Sequence, residues 1–327
     1  MSKHLRIWLF VILGTLLATT SLLAQGVITM TTSKAVGETI RLYIKANGNV
    51  TIEGAQEMSG GADSAGRKSY RLKSQTITIR GDVTVLNCMT TQLTSLNVSG
   101  CATLTELICD GNQLTSLDVS KNTALKKLDC SYNELTSLDV SSCTALTELE
   151  CSYNQLTSVD LSGCTALKKL DCSYNQLTSL DVSKNTALTS LWCFNNELTS
   201  LDVSGCIALT SLWCFNNQLT SLDVSKNTAL EELNCSNNQL TNLNISGCAR
   251  LNTLYCSSNC INGKAMTKLV NSLPNRRRKS SGIIDLVNRS SKKRDRNRCS
   301  AADVTTAKKK NWKAYIPPAK TVCLPTR

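Results

Sequence analysis

The stretch LKKLDCSYNQL (167–177) decides how this chain folds. Leu167, Leu170 and Cys172 are apolar, Asn175 supplies a carboxamide three places past Cys172, and Leu177 restarts the pattern. At a period of two, Leu170-Asp171-Cys172 reads as a short strand with Leu and Cys on one face and Asp on the other. The arrangement recurs every 21 residues: Leu93, Leu114, Leu135, Leu156, Leu177, Leu198, Leu219 and Leu240 open eight copies ending at Cys260. Residues 72–92 carry a degenerate ninth, with Leu86 and Cys88 in phase. A fixed period of this length means one unit stacked on itself, because a single copy cannot bury its own apolar face. The expectation is a stack of parallel rungs about 4.8 Å apart. Asn175 and its equivalents would turn inward to bond free loop backbone, while Leu177, Leu180 and Val182 repeat the inward spacing on the convex side.

Cysteine usage follows the same period. Nine of the 17 cysteines, from Cys88 through Cys172 to Cys256, occupy one column at spacing 21. Neighbouring rungs lie within bridging range, but in-register side chains point the same way, so a disulfide would distort the strands. A stack of buried thiols acting as small hydrophobes is the better reading. A straight column also cannot surround a metal ion tetrahedrally. A second column exchanges Cys101, Cys143, Cys164, Cys206 and Cys248 with Asn122, Asn185 and Asn227, which marks a small, buried turn position. Cys260, Cys299 and Cys323 belong to neither column, and a bridge among them is left open.

The core L-x-x-L-x-C-x-x-N-x-L of each copy is similar to the leucine-rich-repeat signature with Cys in a Leu place. Residues 93–260 therefore resemble the cysteine-ladder leucine-rich-repeat proteins of bacterial surfaces, the internalin-J-like group, and the flanks resemble surface repeat proteins of Bacteroidales. The resemblance implies a β-dominated α/β repeat protein that is secreted or surface-attached and serves adhesion or host interaction by binding a protein or glycan partner. The ending PPAKTVCLPTR does not match an LPxTG anchor, so the resemblance assigns no attachment route.

The ends differ from the repeats. Lys3, His4 and Arg6 precede an apolar run over 7–23 and Ala24, which reads as a signal peptide over 1–24, with an uncleaved anchor as the competing reading. Cleavage would remove His4, the only histidine, and with it Ser-His, Cys-His and His-metal chemistry. Residues 25–92 alternate apolar and polar, with Asn47-Gly48 as a hairpin signal, and form an N-terminal β cap. Residues 261–327 predict a basic α/β C-terminal cap: a helix over 265–273, a strand over 282–287, a helix over 300–310 and a strand over 312–316.

Net charge divides as +5 over 1–92, −8 over 93–260 and +15 over 261–327, within a total of +12. The runs Arg276, Arg277, Arg278, Lys279 and Lys292, Lys293, Arg294 could hold an acidic polysaccharide, against the plain alternative of solvated basic loops. No aromatic residues interleave with these charges, which argues against nucleic acid.

All eight aromatic residues of 93–260 fall in three columns at and just after the strands: Trp192, Trp213 and Tyr255 between Leu and Cys, Phe194 and Phe215 one place past Cys, Tyr132, Tyr153 and Tyr174 two past. None is needed for the core, so together they are the candidate binding residues. The alternatives are a spacer whose rings only stack, or a product of recent duplication. Asp129, Glu150 and Asp171 share the strand column at a separation near that of retaining glycosidase carboxylates. Flanking Lys126, Lys127, Lys168 and Lys169 would keep them ionised, leaving no proton donor, so no enzyme and no cofactor is expected. Convex Asp118, Asp139, Asp160, Asp181, Asp202 and Asp223 read as solvated turn residues, with calcium as an alternative.

Overall fold

The computed structural model describes residues 26–277, 279–287 and 295–315. The expected signal peptide, Arg278, Lys292, Lys293, Arg294 and Cys323 lie outside the described residues. Each repeat contributes a three-residue strand, such as Lys127–Asp129, Glu148–Glu150, Lys169–Asp171 and Ser190–Trp192, to one parallel sheet. The register keeps like residues side by side: Leu128 pairs with Leu149, Leu149 with Leu170, Leu170 with Leu191 and Leu191 with Leu212. Leu170 is 1% exposed and Cys172 0%, so the inward face is the one that alternation assigns. Each such leucine contributes about 1.5–3 kcal/mol by leaving water. Its gain depends on the rungs above and below, because a single rung cannot bury its own apolar face.

The strands stay short because each rung turns sharply after its cysteine. The residue two past Cys is left-handed in every copy: Gly111 (φ 64), Tyr132 (53), Tyr153 (52), Tyr174 (51), Asn195 (53), Asn216 (53), Asn237 (51) and Ser258 (57). The turn exposes backbone groups to the interior, and the inward asparagine satisfies them. The amide of Asn175 donates to the carbonyls of Cys151 (3.0 Å), Cys172 (3.1 Å) and Ser173 (3.1 Å), and its oxygen accepts from the Leu156 N–H at 2.9 Å. Asn133, Asn196, Asn217 and Asn238 repeat these bonds on their own rungs.

At the N-terminal end, eight strands form two antiparallel sheets: β1 (Val27–Thr32), β2 (Thr39–Ala46), β3 (Thr51–Glu53), β4 (Ala55–Glu57), β5 (Lys68–Leu72), β6 (Thr76–Arg80), β7 (Val83–Asn87) and β8 (Leu93–Asn97). One sheet runs β7-β2-β5-β4 and continues the repeat sheet, because β7 pairs in parallel with Glu106–Ile108 and sets Leu86 beside Leu107. The other runs β8-β1-β6-β3 and continues the convex side, since β1 pairs with β8. Ile28, Met30, Ile40, Leu42, Ile77 and Ile79 fill the space between them and join the core of the repeats.

Asn47-Gly48 is not a hairpin turn. The strands it joins lie in different sheets, β2 against β5 and β7, and β3 against β6, so the turn carries the chain from one layer to the other. Gly48 (φ 109) permits the corner, and the Asn47 N–H donates to the Asp82 carbonyl at 3.0 Å.

The C-terminal end extends the parallel sheet. Helix α1 (Gly263–Ser272) buries Met266, Leu269 and Val270 and leads to the strand Gly282–Asp285, which pairs with Thr253–Tyr255. Helix α2 (Ala301–Lys309) starts with a capping box, in which Ser300 Oγ accepts from the Asp303 N–H (3.1 Å) and Asp303 accepts from the Ser300 N–H (2.9 Å). Such a cap contributes about 1 kcal/mol. The last strand, Trp312–Tyr315, pairs with Gly282–Asp285. Gly282 lies under the Trp312 ring, where a Cβ would come within 2.6 Å of a ring carbon.

Candidate functional site

The left-handed turn ends each strand and throws the residues one and two past Cys to the edge of the sheet, where rings from successive rungs meet. Tyr132 stacks on Tyr153 (centroids 4.2 Å apart, planes at 10°), and Tyr153 on Tyr174 (4.0 Å, 16°). Tyr174 meets Phe194 edge-on at 5.4 Å, and Phe194 stacks on Phe215 at 4.3 Å. Trp213 touches Phe194 at 6.2 Å and Trp192 at 5.5 Å. Seven of the eight candidate aromatics thus form one track over five rungs. Tyr255 stands apart, with Asn234 on the rung between it and Trp213.

The rings keep a wet surface: Tyr132 is 55% exposed, Tyr174 40% and Trp192 38%. The three tyrosines also occupy a backbone conformation that costs an ordinary residue about 1–2 kcal/mol and suits Gly or Asn, the residues found there on four of the other five rungs. Core packing requires neither the rings nor that strain. Sequence reasoning missed the strain, although Gly111, Asn195, Asn216 and Asn237 in the same column carried the signal.

Beside the track runs the strand column of Asp129, Glu150 and Asp171, with Asp110, one place past Cys109, next to it. Burial raises Asp110, Glu150 and Asp171 above the ordinary carboxylate range, and repulsion from Asp129 adds to it in each case. Lys127 opposes the rise at Glu150, and hydrogen bonds from Ser173 oppose it at Asp171. One Asp110 oxygen is buried without a partner. Of the four lysines expected to act on this column, only Lys127 does so, lowering Glu150 against the rise from burial. Lys127 and Lys169 flank Glu148 in the preceding column, at 3.8 and 3.3 Å, because register sets all three side by side.

Every cysteine of the two columns is buried and free of any disulfide. Burial pushes the Cys88 and Cys214 thiols up to about 12 and raises Cys130, Cys151 and Cys172 as well. In the second column Cys164 donates to the Val140 carbonyl (3.2 Å) and Asn185 donates to the Leu161 and Cys164 carbonyls (3.2 and 2.8 Å), which explains why the two residue types exchange. Cys260 and Cys299 are unbonded and half-buried.

The basic runs divide. Arg276 is 7% exposed, its guanidinium donating to the Leu251 and Ser280 carbonyls and lying 6.0 Å from the Trp312 ring centroid. It is a packing residue, which corrects its assignment to polyanion binding. Arg277 is exposed but donates to the Lys309 carbonyl, and Lys279 is exposed. On the convex side each aspartate accepts from the serine N–H two places on, for example Asp160 from Ser162 at 2.9 Å. Bonds from the backbone N–H and the hydroxyl of these serines, the hydroxyl foremost at Asp223, hold Asp118, Asp160, Asp181, Asp202 and Asp223 below the ordinary range. Among the described residues no three His, Cys, Asp or Glu side chains converge to hold a metal, and no helix is long and apolar enough to cross a membrane.

Family models and solved structures match parts of the chain. The family Leucine Rich repeats (2 copies) matches residues 144–185 and 186–227, and the family Leucine Rich Repeat matches 229–251. No curated protein matches the chain. Among solved structures, the functional domain of InlJ from Listeria monocytogenes, which includes a cysteine ladder, is 33% identical with a TM-score of 0.54, over 66% of this chain and 52% of that one. The chain thus spans about half the length of that domain. The leucine-rich effector YopM from Yersinia pestis is 26% identical (TM-score 0.47, 54% of this chain and 50% of that one). The internalin inlF of Listeria monocytogenes is 18% identical (0.42, 71% and 86%). The buried cysteine column, the asparagine turns and the 21-residue rungs make residues 93–260 a leucine-rich-repeat solenoid that is similar to the cysteine-ladder domain of InlJ.

Proposed function

We propose that this is an exported protein, secreted or held at a bacterial surface, that binds a partner protein through the aromatic track and the carboxylates beside it. The observation carrying this reading is the continuous, partly exposed run from Tyr132 to Trp192, maintained against the left-handed strain of three tyrosines. Buried aromatic anchors dominate interface energetics. Asp129, Glu150 and Asp171 run beside the tyrosines and would meet a basic side chain. The partner is accordingly a protein surface offering apolar groups flanked by Lys or Arg. Adhesion or host interaction is the setting implied by the resemblance and by the apolar run at 7–23.

The test is a biolayer binding screen of residues 25–327 against host extracellular proteins and glycans, repeated with Trp192→Ser/Trp213→Ser. That variant should lose about 1–2 kcal/mol of stability from ring stacking and bind at least about 2 kcal/mol more weakly. Undiminished binding by the folded variant would make the chain a spacer with structural rings. Export is tested by expressing the full sequence, whose product should appear outside the cells without residues 1–24, and a deletion variant starting at Gln25, which should stay inside.

A further inference from the structure

The left-handed column does not end with the aromatic track. From Phe215 onward it carries Asn216, Asn237 and Ser258, with Gln218 and Gln239 two places further along their rungs, and Arg296 comes across from the C-terminal segment. Together these residues line a cleft of about 800 Å³, within the range of small-molecule sites. Every residue lining it carries a polar side chain: seven carboxamides, one serine and one arginine. Three of the carboxamides, Asn217, Asn238 and Asn259, are spent on backbone carbonyls and form the floor. The others are exposed and largely unspent. Asn216 gives its amide to Asn195 at 2.7 Å and keeps its oxygen, while Asn237, Gln218 and Gln239 make no side-chain hydrogen bond among the described residues.

We propose that this cleft is a second binding site, adjoining the Phe215 end of the aromatic track, and that its ligand is an oligosaccharide. Each carboxamide offers both a donor and an acceptor, as does each sugar hydroxyl, so a polyhydroxylated chain can pair with every free amide without carrying charge. A side-chain-reading peptide pocket would be mostly apolar, and this one has no apolar lining residue. An extended peptide also presents like groups only about every 7 Å, out of step with amides about 4.8 Å apart. Nucleic acid needs a track of cations, and Arg296 is the single cation in the lining. At the near end, Phe215 stacks on Phe194 on one side only, while the next rung carries Ser236, too small to cover the other face. That open face can take the apolar face of a pyranose ring.

The experiment is a printed array of neutral and acidic oligosaccharides probed with residues 25–327, followed by calorimetric titration of the strongest responder. Asn216→Gly/Asn237→Gly removes two amides at positions where glycine accepts the positive φ, and Gln218→Ala/Gln239→Ala removes two more without touching the turn. Each double variant should bind the saccharide at least tenfold more weakly at an unchanged melting temperature, while Tyr132→Asn, at the far end of the track, binds it like the unaltered chain. The proposal is overturned if no oligosaccharide binds, if the amide variants bind it equally, or if a peptide library identifies a peptide as what those variants lose.

Discussion

If the tyrosine stack exists for recognition, replacing its outermost member should cost the fold almost nothing. Tyr132 sits at φ 53 with one ring partner, Tyr153 at 4.2 Å, and on the preceding rung Gly111 leaves its outer face bare. Replacing Tyr132 with Asn, the residue the same column uses on later rungs, relieves about 1–2 kcal/mol of left-handed strain. It forfeits one stacked pair, about 0.5–1.5 kcal/mol, and roughly 1 kcal/mol of burial for a ring already 55% exposed. These terms cancel to within about 1 kcal/mol. Tyr153→Asn removes two stacked contacts, at 4.2 and 4.0 Å, and should be the more damaging by about 1 kcal/mol. Leu128→Ala, on the rung of Tyr132 but 0% exposed, sets the scale at about 2–5 kcal/mol. Urea unfolding of the three variants, followed by circular dichroism, measures all of this. A Tyr132→Asn loss above about 2 kcal/mol would refute the reasoning and make the rings part of the scaffold.

Other expectations follow from the same geometry. Asn196→Ala strips the amide bonds to Cys172 (3.0 Å) and Cys193 (3.1 Å) and the acceptor of Leu177 N–H (3.0 Å), so the urea midpoint should fall by the equivalent of about 3 kcal/mol; a loss under about 1 kcal/mol would contradict the role given to the asparagines. The two faces should answer acid in opposite senses. Raised Asp110, Glu150 and Asp171 hold protons more tightly folded than unfolded, so their destabilising effect is relieved as pH falls through their elevated folded values. Lowered Asp118, Asp160 and Asp181 contribute stability above the ordinary value of 3.8 that is lost as pH falls through their depressed folded values. Melting temperature against pH, with Glu150→Gln and Asp160→Asn, separates the arms: the first should flatten the rise on acidification, the second the fall below it. Alkylating reagents should label the Cys130 column only after unfolding, and mass spectrometry of unreduced protein should find it unlinked; a Cys130–Cys151 bond would defeat the thiol-stack reading.

The repeats were legible because their physics is periodic: a leucine every 21 residues forces a shared register, and Leu170 and Cys172 lie where alternation puts them. The helices of the C-terminal end came within two residues of the expected bounds, α1 at Gly263–Ser272 and α2 at Ala301–Lys309. Asn47-Gly48 misled because local turn chemistry does not say which sheet the next strand joins. Lys127 and Lys169 misled because they were weighed against their chain neighbours, whereas a stacked repeat pairs each residue with its counterparts 21 positions away, here Glu148. Arg276 looked like part of a surface run, and only the Trp312 ring and the Leu251 carbonyl, far away in sequence, reveal that it is inside. The amide cleft was illegible in the sequence because Arg296 reaches it from outside the repeats.

The way the ends are closed has a further consequence. Both are sealed by strands that accept a generic rung, β2 against β7 on one side and Gly282–Asp285 against Thr253–Tyr255 on the other, so neither end senses how many rungs lie between. Length is then a free variable, changeable by whole units through recombination between near-identical segments such as 191–196 and 212–217. Deleting 198–218 joins Glu197 to Leu219 in phase and brings Trp192 beside Asn234, shortening the aromatic track by one step of about 4.8 Å while leaving both ends intact. A lineage of such proteins would carry the same chemistry at different reach, as a graduated set of rulers made from one die. The deletion variant, if it melts as cooperatively as its parent, would establish that the ruler can be cut.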